Sequence, residues 1–436
     1  MKLHNKILLG LVLGAACGVG AHFLAKDAGW LAWFNNNVAN PVGQVFLRML
    51  LMVVVPLVFA SITLGVAGLG DLRRVGRVGA RTISYFFLST ALSAALGLTL
   101  VNLVKPGAGM DPETRQELYA AYQSDAAGLQ ARAEVGFGIR TFVNIVPRNP
   151  VEAAANMDML GVIFFALMCG AALTLIPEQR ARPMIQVLES LGDIVIKIID
   201  FAMKLAPYGV FGLIFYTTSR FGWDVLRQLG LYVVVVVLGL FIHATVGLSA
   251  LVSIFGRLNP LVFWRKARAS VITAFSTSSS NATLPTNIAV AEQELRIPSQ
   301  IAGFVLPLGA TMNMNGTSLY EGVTVLFLAQ VFGVDLNLGQ QLIVVLLSVL
   351  MAIGAAGVPG GSLPLIMIVL ATVGVPPESI AIILGVDRIL DMCRTTLNVS
   401  GDLTAAVYVA RVEAGWKPEM AVAGEGTPPP LRSAAS

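Results

Sequence analysis

The stretch GVDRILDMCRTTLNVSGDLTAAVYVA, Gly385 to Ala410, sets three acids, two arginines and an amide among largely apolar residues. On a helix turning about 100° per residue, Asp387, Asp391, Arg394, Thr395, Asn398 and Asp402 share one face. Arg394 offers a planar donor fork that matches a carboxylate, and Asp391 can receive an ammonium. One turn on, Asn398 and Asp402 supply oxygens suited to a hard monovalent cation such as sodium. A zwitterionic acid is the guest that uses both charges. The plainer alternative is an i to i+3 ion pair between Asp391 and Arg394, which leaves Asn398 and Asp402 without a reason.

A second polar stretch, TMNMNGTSLYEG (Thr311 to Gly322), interrupts the otherwise apolar run from Ile301 to Phe332. Two further apolar segments are broken near their middles. ITAFSTSSSNATLPTNIAV carries Ser278, Ser279, Ser280 and Asn281, and VLMAIGAAGVPGGSLPLIMIVL carries Gly357, Val358, Pro359, Gly360 and Gly361. Small and helix-breaking residues there leave backbone N–H and C=O groups for a ligand, and such backbone is tolerated at membrane depth only where it lines a cavity.

These residues need a scaffold that holds them inside a bilayer. The chain has 436 residues, 56% hydrophobic and 12% charged, where soluble domains carry about 25% charged residues. Apolar runs able to cross a hydrocarbon core of about 30 Å recur throughout, so the protein reads as an all-α polytopic membrane protein. Coarse helices fall at 6–25, 41–69, 82–104, 151–176, 190–218 and 229–256. Beyond them, a broken hairpin followed by a polar-centred helix occurs twice, the helices lying at 301–332 and 378–410. An odd number of crossings separates the hairpins, so they enter from opposite sides as inverted repeats. Paired interrupted segments of this kind mark a transporter's central site. The totals are eight transmembrane helices and two re-entrant hairpins.

Arginine and lysine in short loops fix the orientation. Arg73, Arg74, Arg77 and Arg81 follow the second run, Arg180 and Arg182 the fourth, and Arg257, Arg265, Lys266 and Arg268 the sixth. Even-numbered ends are then cytoplasmic, as are both termini, with Lys2 and Lys6 in front and Arg411 and Lys417 behind. Residues 105–150 read as one long extracytoplasmic loop and 411–436 as a cytoplasmic tail, disordered beyond Glu413. In the fifth helix, Asp193 with Lys197 and Asp200 with Lys204 are spaced four apart and can pair on one face.

Several function classes drop out. Cys17, Cys169 and Cys393 are too dispersed for a disulfide framework or a zinc site. His243 reads as a satisfied packing residue. The serines of STSSSN have no histidine paired with them in sequence, so an intramembrane protease, or any enzyme, is not expected. The net charge of +4 reflects basic loops and not nucleic-acid binding. No organic cofactor is expected; the partners are a small-molecule substrate and the lipid bilayer.

From about Lys6 to Glu413 the chain resembles the dicarboxylate/amino acid:cation symporter family, which includes the excitatory amino acid transporters. The likeness is carried by MVVVPLVFASI, NIVPRNP and LAPYGVFGLI, and most specifically by TSSSNATLP, PLGATMNMNGT, GVPGGS and DRILDMCRTTLNVSGD. It implies a homotrimer of elevator-type carriers in a cell (inner) membrane. A trimerisation scaffold (about 6–69 and 151–218) would hold a moving transport part (about 82–104 and 229–410). By position, Arg394 resembles the arginine for the substrate's side-chain carboxylate and Asp391 the aspartate for its amino group. Ser279, Ser280, Asn281, Thr317, Val358, Gly361, Thr395 and Asn398 resemble further substrate contacts. Gly309, Asn313, Asn398 and Asp402 match one sodium site; Thr311, Met314, Ala352, Ile353 and Ala355 match a second.

With both Arg394 and Asp391 present, the resemblance implies import of L-glutamate or L-aspartate, with C4-dicarboxylates such as succinate, malate or fumarate as the alternative. The chain departs from the family in three respects. Neither family version of the extra arginine is present, its two places being taken by Ser278 and Met392, and Ser362 replaces a usual glycine. A third sodium set, Ser89, Thr90 and Asn315, has an amide where the family has an aspartate and Phe86 where it has a tyrosine, which weakens it. Glu321 matches the glutamate that carries a proton in proton-coupled relatives. Coupling to sodium, protons or both is therefore expected.

Overall fold

The computed structural model describes residues 3–25, 28–75, 77–109, 146–156, 159–354 and 362–422. Nearly all of these are helical, and among them there is no strand, as a chain must be whose backbone polar groups find no partners in lipid. Helix α1 spans Leu3–Ala25. Helix α2, Gly29–Phe34, runs through a π-helical turn at Asn35–Ala39 into α3, Asn40–Met52. The single helix expected at 41–69 is thus longer at its start and divided, with α4 at Val54–Val75. The division at Val53 has a local cause: Pro56 has no N–H to donate back across that turn.

Helix α5 is Arg77–Val104, followed by α6, Pro150–Ala155, and α7, Met159–Leu175. Helix α8, Glu178–Phe221, is 44 residues long against the 29 expected. Arg180 and Arg182, expected in a cytoplasmic loop, lie in its first turns. Its exposed charges also pair differently from the expectation. Lys197 reaches Asp200 at 3.3 Å and not Asp193, and Lys204 lies over the ring of Phe201. Gly222, at φ 67°, turns the chain into α9, Trp223–Ile242, which passes through a π-helical turn at His243–Leu248 to α10, Ser249–Ile254. His243 is buried, yet its Nε2 has no hydrogen-bond partner among the described residues, so it packs without being satisfied.

The two broken regions follow. Helices α11, Pro260–Thr277, and α12, Ser280–Ala289, meet at Ser278, whose φ of 51° is left-handed. The Ser279 hydroxyl caps α12 by accepting from the Ala282 N–H at 3.2 Å. Helices α13, Ser299–Met312, and α14, Asn315–Val331, are separated by two non-helical residues, Asn313 and Met314. Helices α15, Leu338–Gly354, and α16, Leu363–Thr372, flank residues outside the described set. A 3-10 turn at Pro377–Ile382 leads into α17, Leu384–Glu413, and α18, Pro418–Val422, ends the described chain.

Five helical stretches among the described residues are long and apolar enough to cross a membrane: Asn5–Ala25, Gly29–Leu64, Arg77–Val104, Glu178–Phe221 and Val225–Ile254. The later segments fall short because each is split at its centre, and α17 because it is charged.

Helix α14 is the most enclosed element, with every residue of Asn315–Val331 buried except Gln330. It lies between α5 and α17 and approaches both through glycines, the small residues that let membrane helices pack backbone to backbone. A Cβ on Gly97 of α5 would lie 2.9 Å from the Leu319 carbonyl oxygen. One on Gly316 would overlap the Arg394 backbone, its Cα 2.8 Å away.

Candidate functional site

Leu390, Leu397 and Leu403 anchor α17 in the core, and its polar face is buried with them: Asp387, Asp391, Arg394, Thr395, Asn398 and Asp402 are each at most 4% exposed. Arg394 donates from Nε to Asp391 Oδ1 at 2.9 Å and from Nη1 to Asp387 Oδ1 at 3.0 Å. The i to i+3 pair set aside as the plainer alternative therefore forms, as one half of a larger cluster. Arg388 Nη1 stands 3.6 Å from Asp391 Oδ2. Tyr320 of α14 donates to Asp387 Oδ1 at 2.8 Å and lays its ring under the guanidinium, 4.4 Å from centroid to Cζ. That cation–π seat fixes the plane of the fork. The pairing matters because a buried charge left without a partner costs several kcal/mol.

The break in the α13–α14 region is stabilised from α17. Met314 provides no side-chain cap for α14, and Asn398 does so across the helix pair. Its Oδ1 accepts from the Gly316 N–H at 2.7 Å and the Thr317 N–H at 3.4 Å, and its Nδ2 donates to Thr317 Oγ1 at 3.1 Å. Below it, Asn313 Nδ2 donates to Asp402 Oδ1 at 3.0 Å. Gly309 faces the same carboxylate, where a Cβ would lie 2.5 Å from Oδ1. Gly309, Asn313 and Asp402 thus come together, with Asn398 one turn away.

A third cluster joins α5 to α14. Asn315 Oδ1 accepts from Ser89 Oγ at 3.1 Å and from Thr90 Oγ1 at 3.0 Å, while Ser89 Oγ also lies 3.1 Å from Asn313 Oδ1. Ser93 Oγ donates to the Asn315 carbonyl at 2.7 Å. All the side chains here are neutral, and the hydroxyls of Ser89 and Thr90 face amide oxygens while that of Ser93 is spent on the Asn315 backbone carbonyl.

Glu321, on the next turn of α14, is fully buried, and neither carboxylate oxygen has a hydrogen-bond partner among the described residues.

Other expected site residues are less gathered. Ser279 and Ser280 are buried at the tip of the first hairpin, which reaches α17 through Asn287 Nδ2 and the Val399 carbonyl at 3.4 Å. Asn281 is exposed, and the Thr311 hydroxyl turns back to the Leu308 carbonyl. Met314 and Ala352 are buried. The Ile353 side chain, Ala355, Val358 and Gly361 lie outside the described residues.

Three residues of the clusters carry no expected role in the sequence: Tyr320, Arg388 and Ser93. Ser93 sits four residues after Ser89, so helical spacing signals it. Tyr320 is signalled by its place three residues after Thr317. Arg388 lies off the polar face, and nothing in the pattern points to it.

An acid–base cluster enclosed by apolar helices, set where one helix is broken and capped by another, fits a solute-carrying membrane protein. The chain belongs to the sodium:dicarboxylate symporter family, whose model matches residues 3–412. It is 36% identical over 421 residues to the proton/glutamate-aspartate symporter of Escherichia coli (strain K12), covering 96% of this chain and 95% of that one. Identity to the proton/sodium-glutamate symport protein of Bacillus caldotenax is 34% over 415 residues, 95% of each chain. A C4-dicarboxylate transport protein of Bacillus subtilis (strain 168) is 32% identical over 415 residues, again 95% of each chain.

Proposed function

We propose that the protein is a secondary active symporter that imports L-glutamate or L-aspartate together with sodium, protons or both. The observation that carries this reading is the buried Arg394–Asp391 pair. A guest bearing both a carboxylate and an ammonium can part that pair and leave neither charge unmatched, the carboxylate going to Arg394 and the ammonium to Asp391. A plain dicarboxylate takes the arginine and gives Asp391 nothing in return. Arg388, 3.6 Å from Asp391, favours the second reading, a C4-dicarboxylate carrier, because it can keep Asp391 compensated. Competition against labelled aspartate uptake separates the two: unlabelled glutamate competes and succinate competes poorly. Equal competition by succinate would transfer the assignment to the C4-dicarboxylates.

For coupling, one charge moving through 100 mV gains about 2.3 kcal/mol, roughly fortyfold in concentration. The acidic amino acid carries one net negative charge, so at least two cations must accompany it to draw on the potential. The set Gly309, Asn313, Asn398 and Asp402, and the set Thr311, Met314, Ala352, Ile353 and Ala355, would each hold a sodium. Ser89, Thr90 and Asn315 lack a carboxylate to offset a buried cation, so the third site is not retained and Glu321 carries a proton in its place.

The working unit is a homotrimer in the cytoplasmic membrane, both termini inside, moving as an elevator. Support for its division comes from packing: α1 lies along α8, α7 along α4 and α8 along α3, whereas α5, α14, α13 and α17 lie against one another.

A further inference from the structure

Between α1 and α9 lies a groove of about 470 Å³ lined only by apolar residues, within the range of about 300–1,000 Å³ usual for small-molecule sites. On α9 it runs from Trp223 to Val233, ten residues of helix or about 15 Å. That is half of a hydrocarbon core of about 30 Å, the depth of one leaflet. Both walls belong to stretches apolar enough to span the membrane, so the groove faces lipid. The groove is open beside Gly230, where a Cβ would meet nothing within 4 Å.

The two ends differ. At the mouth Trp223 is exposed, an amphipathic ring of the kind found at membrane interfaces. Arg227, one turn further on and bordering the same helix face, is exposed as well. The floor is Val386, the chain neighbour of Asp387, beside the point where Leu11 packs on Gly385.

We propose that this groove holds one acyl chain of a phospholipid from the leaflet at the Trp223 end, with Arg227 meeting its phosphate. A leaflet-deep apolar slot with a cation at its mouth has the shape and the polarity of that molecule. A seated chain wedges between α1 and the start of α17, so its presence bears on where Asp387 stands. The proposal rests on the membrane-spanning reading and not on the identity of the transported solute.

The test is lipid retention by the full chain. The protein is reconstituted in palmitoyl-oleoyl-phosphatidylglycerol vesicles and re-extracted in mild detergent, and bound lipid per chain is read by native mass spectrometry. Wild type retains one phosphatidylglycerol per chain. Gly230→Phe lowers retention at least about tenfold, as expected for displacing roughly two methylenes or more from burial, and Arg227→Ala lowers it for phosphatidylglycerol but not for diacylglycerol. Gly303→Phe, at a second glycine with open space, retains lipid as wild type does. A melting curve confirms that each variant is folded. Equal retention by wild type and Gly230→Phe overturns the proposal, as does retention of detergent alone. With Cys17, Cys169 and Cys393 replaced, membrane cross-linking between two Ala16→Cys chains overturns it by putting a second copy in the groove.

Discussion

Arg394 donates to Asp391 at 2.9 Å and to Asp387 at 3.0 Å, so in the proposed function a guest carboxylate would enter by replacing one of these. Asp387 is also held by Tyr320 at 2.8 Å, whereas Arg388 can keep Asp391 compensated from 3.6 Å, so under this proposal Asp391 is the partner that changes hands. Asp391→Asn should therefore cut aspartate uptake by about a hundredfold or more, since losing one member of a buried charge pair costs roughly 3–5 kcal/mol. The same variant should let succinate compete better, which a competition series reads directly. Among the described residues Glu321 has no hydrogen-bond partner to lose, so Glu321→Gln should keep the fold and remove the dependence of uptake on a proton gradient. Uptake under imposed pH steps checks this, and a proton-driven component surviving in the glutamine variant would contradict the carrier role.

The helices around these residues show what the sequence made legible. The polar face of α17 follows from spacing alone, and the break at Asn313 and Met314 follows from polar residues in an apolar run. The first hairpin's break falls at Ser278, as its small polar residues signal, and the second hairpin's break lies outside the described residues. What spacing does not display is how the break is stabilised. Asn398, which looks like a ligand residue, caps α14 from another helix at 2.7 Å, and only tertiary packing brings them together. Asn398→Ala should destabilise the protein by about 0.5–2 kcal/mol, the range for a lost cap, measured as a lower melting midpoint. The close approach of Gly316 to the Arg394 backbone was equally hidden. Gly316→Ala should cost about 1–3 kcal/mol through overpacking and reduce aspartate uptake by displacing Arg394, a loss that Gly303→Ala does not share. The length of α8 is not legible in the sequence because its first turns carry the charges of a loop.

For the molecule as a whole, the elevator reading requires α1 to slide relative to α17. A Cβ on Gly385 would lie 3.4 Å from that of Leu11, close to the separation of about 3.5–4.5 Å that a disulfide needs. With Cys17, Cys169 and Cys393 replaced, Leu11→Cys with Gly385→Cys should lock the carrier on oxidation and recover uptake on reduction. Uptake that continues in the oxidised protein would mean that these helices do not part. The central claim is cation-coupled import of an acidic amino acid, and labelled aspartate uptake into proteoliposomes under separately imposed sodium and proton gradients tests it most directly. Accumulation above the outside concentration under a sodium gradient, a proton gradient or both, enhanced by an inside-negative potential, is the predicted result. Equilibration without accumulation under every gradient would contradict it.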